Sequence, residues 1–361
     1  MGQTHISWDI IPPLPKTELH INHLTRLMCL SAIVLLSSLA VGQSTGHAFL
    51  WTASGGMQDL GALPGWQDSL GQGINQFGDV VGYNVSGDGG ASAGFGWSSP
   101  TGMRYLSGLS RTESQGDAIN DAKQVVGSSV TKDGGLRAFL WSPKGGVLDL
   151  GDLGGGSSEA LAINNSGPVV GYSSTAADLT RPFIWTQGAG MQDLISLTEN
   201  CPSCEGEAWG INDDGVIVGQ IEATSKGYFT AFAWRNGHVH LLGILGGRQG
   251  SKGSFARAVN RSGEVVGGST VAGGAVHAFL WTEAGGMQDL GLLAGSYQTV
   301  AYGINDSGQV VGEAAVSNTV VRAFIWTAST GMQDLGTLGG PSARASAIND
   351  AGQVTGSSDL Q

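Results

Sequence analysis

Seven short segments with the pattern Phe-x-Trp recur along residues 47–361 at nearly constant intervals. The two aromatic residues lie two positions apart and therefore share one face of a strand, and the residue between them, such as Leu50 or Ile184, is usually apolar too. The tryptophans are Trp51, Trp97, Trp141, Trp185, Trp234, Trp281 and Trp326, with spacings of 46, 44, 44, 49, 47 and 45 residues. A period of this length is typical of one blade of a β-propeller.

Each copy contains four candidate strands, which we label a to d in their order within a blade. Examples are Ala301–Asn305 for strand a, Gln309–Gly312 for b, Ala48–Trp51 for c and Met57–Leu60 for d. Strands b and c are apolar on both faces, whereas a sheet with one solvated face would alternate apolar and polar residues. This pattern predicts blades that are packed between two neighbours.

The two ends of the repeat region complement each other. The region begins with strands c and d (residues 47–60) and ends with strands a and b (about residues 343–358). A linear solenoid would need polar end caps, and the sequence has none. We therefore predict an all-β fold, a seven-bladed β-propeller of four-stranded blades closed by pairing N-terminal strands c-d with C-terminal strands a-b. The predicted repeats lie near 47–92, 93–136, 137–180, 181–229, 230–275, 276–320 and 321–361.

Strands a and b are joined by a turn of the type Asn-Asp-Ser-Gly, as at Asn305–Gly308. Asparagine favours the first turn position, and glycine takes the left-handed position at its end. The second copy has Lys123 where the other copies have glycine. A side chain in that conformation costs about 1 kcal/mol, so Lys123→Gly is predicted to stabilise the protein.

Three further features recur in most copies and so favour structural roles. A glycine follows the Val-Val pair of strand b, as at Gly82, and is expected to leave room for a neighbouring aromatic ring. A basic residue precedes strand c, and an aspartate occupies strand d. These two residues are expected to form hydrogen bonds or ion pairs between strands, since a unique active site would not be copied in five blades. The residues are His47, Arg137, Arg181, His277 and Arg322, with Asp59, Asp149, Asp193, Asp289 and Asp334.

Composition supports a folded, turn-rich β protein. Only 13% of residues are charged, 61 are glycine, and the 41% apolar fraction with ten tryptophans argues against a disordered chain. The formal net charge of −12 argues against nucleic acid or an anionic membrane as a partner.

Residues 1–46 differ from the repeats and are predicted to be a signal peptide and short linker. Lys16 and Arg26 precede the uncharged apolar run Leu27–Val41, which is too short to span a bilayer comfortably, and small residues such as Ala40 and Gly42 follow. We expect a secreted protein, extracellular or periplasmic, with no membrane span after signal removal. The alternative is an uncleaved anchor or a buried segment.

The repeat motif resembles that of the HAF-type extracellular repeat proteins of bacteria. The segments are His277-Ala-Phe-Leu-Trp-Thr, Gly285-Gly-Met-Gln-Asp-Leu-Gly and Gly303-Ile-Asn-Asp-Ser-Gly-Gln-Val-Val-Gly. The resemblance covers nearly all of residues 47–361 and implies a secreted or surface protein. It implies no catalytic residues.

Loop lengths indicate which face of the disc carries function. The a–b and c–d turns are nearly constant in length, whereas the d–a connection varies, so a binding surface is expected on the face formed by the d–a and b–c loops. Variable aromatic and charged residues assigned to that face are typical binding anchors. The predicted ligand-binding residues are Trp66, Asp117, Trp209, Arg257, Tyr297, Tyr302 and Arg344. For Trp66 and Trp209, simple packing under long loops is the alternative.

Cysteine and histidine residues allow few metal or redox sites. Cys201 and Cys204 lie in the longest d–a connection, and export favours a local disulfide between them. A zinc site there would need two more ligands. His238 and His240 share a strand face but have no third ligand nearby in the sequence. We therefore expect no metal and no cofactor.

The sequence favours a non-catalytic propeller, a monomer that binds a glycan or protein ligand. One alternative is a polysaccharide-cleaving enzyme with carboxylates at the central channel, for which Asp117, Glu159, Glu205 and Glu207 are the non-repeated acids. Such an enzyme needs two carboxyl groups about 5–9.5 Å apart, and the sequence does not define that pair. The other alternative is a structural surface protein with no specific ligand.

Overall fold

The structure is a computed structural model, and it describes residues 45–87, 90–110, 113–196, 204–222, 228–246 and 253–361. The predicted signal peptide falls almost entirely outside these residues. No helix among them is long and apolar enough to cross a membrane.

Twenty-eight strands form seven four-stranded antiparallel sheets, and each sheet is one propeller blade. The innermost strands a are β3 Asp68–Ile74, β7 Ser114–Ile119, β11 Gly154–Ile163, β15 Gly206–Ile211, β19 Ser254–Val259, β23 Gln298–Ile304 and β27 Gly339–Ile348. The strands b are β4 Val80–Val85, β8 Val125–Val130, β12 Val169–Thr175, β16 Ile217–Glu222, β20 Val265–Thr270, β24 Val310–Ala315 and β28 Val354–Leu360.

Two outer strands complete each blade. The strands c are β1 Gly46–Thr52, β5 Ser92–Ser98, β9 Leu136–Ser142, β13 Thr180–Thr186, β17 Phe229–Arg235, β21 Val276–Thr282 and β25 Val321–Thr327. The strands d are β2 Gly56–Asp59, β6 Gly102–Tyr105, β10 Gly146–Asp149, β14 Gly190–Asp193, β18 His238–Gly243, β22 Gly286–Asp289 and β26 Gly331–Asp334. Neighbouring strands a contact one another around a complete ring, so they surround the central axis.

The predicted closure is confirmed. One blade has the strand order β2-β1-β28-β27, and β1 pairs with β28 from Gly46 opposite Asp359 to Trp51 opposite Val354. The phenylalanine of every Phe-x-Trp pair is buried between blades, as at Phe49 and Phe324. Apolar burial at both faces of each sheet is therefore the main force that holds the blades together.

The turn asparagines also connect the blades, which the sequence pattern did not reveal. The side-chain oxygen of Asn305 accepts hydrogen bonds from its own turn, including that of the Gln309 N–H at 2.9 Å. Its side-chain nitrogen donates to the main-chain oxygen of Asn349 in the next blade at 3.0 Å. The same inter-blade bond runs through Asn75, Asn120, Asn164, Asn212, Asn260, Asn305 and Asn349 and closes from Asn349 back to Asn75.

Strand a carries a β-bulge at one equivalent position in all seven blades. In the blade of β23 and β24, for example, Ala301 pairs with Gly312 and Gly303 with Val311, so Tyr302 has no partner. The bulged residues are Gln72, Asp117, Leu161, Trp209, Arg257, Tyr302 and Ser346. A bulge re-aims the side chain of the unpaired residue and bends the strand.

The strand b glycines are required by this bend, and the expectation of an aromatic neighbour needs correction. A Cβ atom on Gly82 would lie 1.9 Å from the main-chain oxygen of Leu70 and 2.9 Å from the Phe95 ring. In all seven blades, the atom nearest to a Cβ added at this glycine is the main-chain carbonyl oxygen of a residue in strand a, at 1.9–2.0 Å. The close approach of two backbones, and only secondarily a ring, therefore excludes a side chain here.

The recurrent basic and aspartate residues form contacts between strands c and d in three blades. His47 Nδ1 lies 2.9 Å from Asp59, and His277 Nδ1 lies 2.9 Å from Asp289. Arg181 approaches Asp193 at 4.0 Å, which is a long ion pair. Arg137 instead pairs with Asp152 at 2.9 Å. The expected contact is thus observed in three of the five blades, and Arg137 pairs with a different aspartate.

Lys123 has the predicted left-handed conformation, with φ of 61°. Its Nζ also lies 3.0 Å from Asp79 in the neighbouring blade, so Lys123→Gly removes both the strain and an ion pair. An ion pair at the surface, with an exposed lysine, contributes about 0–1 kcal/mol, which offsets part of the gain. We expect Lys123→Gly to be neutral to slightly stabilising in the native chain. In an Asp79→Asn background it should raise the unfolding free energy by about 1 kcal/mol. Urea unfolding of the native protein, the two single variants and the double variant measures both values. A loss of stability in the Asp79→Asn background would contradict the strain.

Candidate functional site

Polar and aromatic side chains converge in the central channel, on the inner strands. Along β3 the buried and half-buried residues alternate, and the half-buried set includes Leu70 and Gln72. In each blade the bulged residue is half-buried. The residue two positions before it is half-buried in five blades and buried in the other two, at Glu207 and Phe255. The register places this second residue opposite a strand b residue, as in Glu159 opposite Tyr172 and Glu207 opposite Gln220. Each blade therefore contributes three side-chain positions to one region.

One sector of this region is a hydrogen-bonded cluster around Glu313. Its carboxylate accepts a hydrogen bond from Arg344 Nε at 2.5 Å and another from the Tyr302 hydroxyl at 2.8 Å. Arg344 comes from β27 and the other two residues come from the preceding blade, so the cluster bridges two blades. Burial alone would lower the pKa of Arg344, but the charge of Glu313 raises it overall. The arginine is therefore held as a cation and is neutralised locally.

Arg257 forms a second cationic centre with aromatic neighbours. Its guanidinium carbon lies 3.9 Å from the centre of the Trp209 ring and 5.5 Å from the rings of Phe255 and Tyr302. Trp209 and Phe255 meet edge to face at 5.8 Å. The Nε atom of Arg257 is buried and has no hydrogen-bond partner in the described structure. Burial lowers the pKa of Arg257, although Tyr302 and Glu207 act in the opposite direction.

Three carboxyl groups occupy successive inner strands β7, β11 and β15. Burial, and then the charge of Glu159, raise the pKa of Asp117 to about 8. Burial also raises the pKa of Glu159, against a hydrogen bond from Tyr172. Burial raises the pKa of Glu207 to about 7, although Arg257 and a hydrogen bond from Gln220, 3.1 Å long, favour its charged form. Burial thus raises the pKa values of all three carboxyls of this acidic sector, as is common for carboxyls at functional sites.

Electrostatic coupling shows that the two sectors face a shared space. Tyr83, on β4, has a pKa raised first by burial and then by Asp117 of the next blade. Arg344 of the preceding blade lowers the same pKa, and Glu159 from two blades away raises it. A single tyrosine responds to three other blades only where the side chains converge on one channel.

The pKa of Asp117 leads to a pH-dependent prediction. Its folded value of about 8 exceeds the ordinary value of 3.8, so the native state binds the proton more tightly than the unfolded chain does. This group therefore reduces stability progressively as the pH rises from about 4 to 8. Asp117→Asn, which keeps the shape and removes the titration, should leave stability at pH 4.5 nearly unchanged. At pH 8 it should raise stability by a few kcal/mol. Melting curves of both proteins from pH 4.5 to 8.5 measure the difference, and a constant difference would contradict the buried-acid interpretation.

The structure regroups the residues predicted as ligand-binding. Asp117, Trp209, Arg257, Tyr302 and Arg344 meet in the channel on strands a, whereas the prediction placed them on the loop face. Arg344 in particular lies inside β27 and is not part of a d–a loop.

The other two predicted residues lie away from the channel cluster. Trp66 packs against a core cluster that contains Leu63 and Trp97, which corresponds to the packing alternative. Tyr297 is 40% exposed just before β23, and its hydroxyl lies near Ser317 and Asn318 on the loop side.

Several channel residues were missed, although a signal for them exists. Glu159 and Glu207 were not among the predicted ligand-binding residues, and neither were Tyr83, Tyr172, Gln220, Phe255 and Glu313. The variable position two residues before the bulge would have located three of them. The strand b residue after the invariant glycine would have located the other four.

The predicted disulfide lies only partly within the described residues. Cys204 is disulfide-bonded, while Cys201 lies outside them, so the Cys201–Cys204 pairing stays a prediction. No group of three or more metal-binding side chains occurs in the described segments. His240 lies beside the Trp281 ring, with 5.7 Å between the ring centres.

Comparison with known proteins supports the fold and no more. No family model and no curated protein sequence matches the chain. Solved structures that resemble it include a puromycin hydrolase, at 16% identity and a TM-score of 0.51, and TolB from Acinetobacter baumannii, at 12% and 0.49. The matches cover 80% of this chain and 49% of the hydrolase, and 79% of this chain and 65% of TolB. The chain thus spans about half of the hydrolase and about two thirds of TolB.

Proposed function

We propose that this protein is a secreted, non-catalytic propeller that binds a glycan within its central channel. The observation that carries the proposal is the convergence of variable aromatic, cationic and carboxyl side chains from the inner strands of different blades on one enclosed region. These positions differ from blade to blade within an otherwise repeated scaffold. Rigid frameworks with variable residues at one location are typical of binding proteins.

The chemistry of the channel suits a hydroxyl-rich ligand. Asp117 and Glu207 titrate near neutral pH, so each carboxyl can donate or accept a hydrogen bond there. The Tyr172 hydroxyl and the Gln220 amide add further groups of both kinds. Aromatic rings at Trp209 and Phe255 supply apolar area beside them. A sugar presents the same mixture of hydroxyl groups and apolar C–H faces.

Export is supported by the N-terminal pattern and by cysteine chemistry. The apolar run Leu27–Val41 followed by small residues is typical of a signal peptide. Cys204 is disulfide-bonded, and disulfides persist mainly in oxidising compartments. N-terminal sequencing of the protein recovered outside the cytoplasm should find a start between residues 41 and 47. Recovery of the intact N-terminus would support the uncleaved anchor instead.

A glycan array followed by calorimetry on the best oligosaccharide tests the binding site. Trp209→Ala should weaken binding about 10- to 30-fold, since it removes a central aromatic side chain and releases Arg257. Trp66→Ala is the matched control, because it makes the same substitution outside the channel. It should change the affinity less than threefold, and a melting curve confirms that each variant is folded.

Three results would overturn the proposal. If Trp66→Ala loses glycan binding and Trp209→Ala keeps it, the binding site lies on the loop face and not in the channel. If the channel binds a protein and no oligosaccharide, the ligand class is protein and not glycan. An array without any ligand would favour a structural surface protein.

The acidic sector supports a second candidate, a polysaccharide-cleaving enzyme. Glycoside hydrolysis uses one protonated carboxyl as the acid and a second carboxyl on the other side of the scissile bond, and the raised pKa of Asp117 suits the first of these roles. Asp117 would be the proton donor and Glu159 its partner. Sustained release of reducing ends from oligosaccharides, abolished in both Asp117→Asn and Glu159→Gln, would establish this function in place of binding alone.

A further inference from the structure

We propose that Arg257 binds a carboxylate of the ligand, which makes the ligand an acidic sugar such as a uronic acid. This inference rests on the proposed glycan function and adds the charge of the ligand to it. Two arginines of the channel, Arg257 and Arg344, differ in whether the protein supplies a carboxylate partner.

Arg344 is already paired with a carboxylate of the protein, that of Glu313. Glu313 accepts a hydrogen bond from its Nε, and the Tyr302 hydroxyl occupies the other oxygen of the same carboxylate. Arg257 has no such partner, because its buried Nε makes no hydrogen bond within the described structure. A buried guanidinium with an unsatisfied donor costs free energy until an anion reaches it. The empty partner position at Arg257 therefore fits a group that the ligand supplies.

The carboxylates near Arg257 are engaged elsewhere. Glu207 favours the charged form of Arg257, but its carboxylate accepts a hydrogen bond from Gln220 Nε2 at 3.1 Å. Glu313 is held by Arg344 and Tyr302. No carboxylate of the described residues lies within ion-pair distance of Arg257. The protein surrounds this cation with aromatic rings, which contribute cation–π attraction and leave the pairing of its N–H groups open.

The Trp209 ring holds the Arg257 guanidinium in an orientation that suits a planar anion such as a carboxylate. With its carbon 3.9 Å from the ring centre, the guanidinium is held against the indole. A held guanidinium loses little conformational freedom when its N–H groups pair with a carboxylate in two parallel hydrogen bonds. A lysine could not provide this geometry.

The acidic sector across the channel limits the total charge of the ligand. Asp117, Glu159 and Glu207 supply no positive charge that would pair with further sulfate or carboxylate groups, and their raised pKa values fit hydrogen bonds with neutral hydroxyls. One carboxylate and several hydroxyls on the same ring satisfy both sectors. That combination is a uronic acid.

Calorimetry with galacturonate, which carries a single carboxylate, and with its methyl ester tests the inference at pH 7. The native protein should bind the acid at least tenfold more tightly than the ester. Arg257→Gln should weaken acid binding about 10- to 100-fold, the usual range for a lost charge-assisted hydrogen bond, and change ester binding less than threefold. Arg257→Lys should recover only part of the loss, because a lysine lacks the paired donors.

Arg261→Gln is the matched control, because it makes the same substitution in the same blade on an exposed turn residue. It should leave both affinities within twofold of those of the native protein. Equal binding of acid and ester, with both weakened in Arg257→Gln, would overturn the acidic-sugar inference and leave glycan binding standing. Tighter binding of a heparin-derived hexasaccharide would overturn the carboxylate preference. If no array oligosaccharide binds either, the proposed function itself fails.

Discussion

Replacing Gly82 with alanine is expected to lower the unfolding free energy of the propeller by about 3 kcal/mol or more. The added methyl group would lie 1.9 Å from the main-chain oxygen of Leu70, and neither backbone can move without breaking the a–b ladder. The Phe95 ring at 2.9 Å blocks the remaining direction. Relieving this steric overlap would require a shift of the β-bulge that directs Gln72 into the channel. We therefore expect a large drop in melting temperature and a distorted channel in this blade.

The matched control is Gly96→Ala in the same sheet. Gly96 lies on β5, and a Cβ atom there would meet no atom within 4 Å. Alanine at this position should stabilise the chain slightly, because it restricts the unfolded state and fits the folded one. Urea unfolding of both variants gives the comparison. If Gly82→Ala were as stable as Gly96→Ala, the backbone contact would not be the reason for the glycine.

Deleting residues 46–60 is expected to abolish cooperative folding, the largest effect that we predict. The deletion removes β1 and β2 from the blade that joins the two ends of the repeat region. Phe49 leaves the core cluster that also contains Val311, Ile325 and Val354, and loss of one such phenylalanine alone costs about 3–5 kcal/mol. The free edge of β28 would be exposed as well, which favours aggregation.

A rearranged chain separates lost closure from lost sequence. In it, residues 45–60 follow Gln361 through a short turn, which the antiparallel pairing of Gly46 with Asp359 makes geometrically simple. All four strands of the closing blade would then be consecutive, as in the other six. We expect a melting temperature within a few degrees of the native protein, measured by circular dichroism. A cooperative, stable deletion variant, or an unfolded rearranged chain, would contradict closure as the source of stability.

The turn residues illustrate how far local sequence reaches. Asn305 and Gly308 predicted a tight turn, and the structure confirms it, with Gly308 in the left-handed region. The bond from Asn305 to Asn349 joins residues 44 positions apart, and nothing in either turn indicates it. The same residue type thus has a local role that the sequence shows and an inter-blade role that it conceals.

The channel residues show the limit more clearly. Arg257, Tyr302 and Arg344 were identified as candidates from their variability, but they were assigned to the loop face. A sequence pattern alternates along one strand, and it does not state which edge of a sheet faces the axis. The bulge that turns these side chains inward has no single residue as its signature. Its only trace is the glycine opposite, whose reason lies in a carbonyl oxygen from another strand.

By itself, the sequence determined the number of blades, the four strands of each and the joining of the two ends. It did so because these features are repeated locally and depend on the period and apolarity of short segments. Tertiary structure alone decided that Arg344 is neutralised by a carboxylate while Arg257 is not, and that burial raises the pKa values of three channel acids. Those properties arise from charges and burial contributed by different blades, whose side chains become neighbours only when the ring has closed.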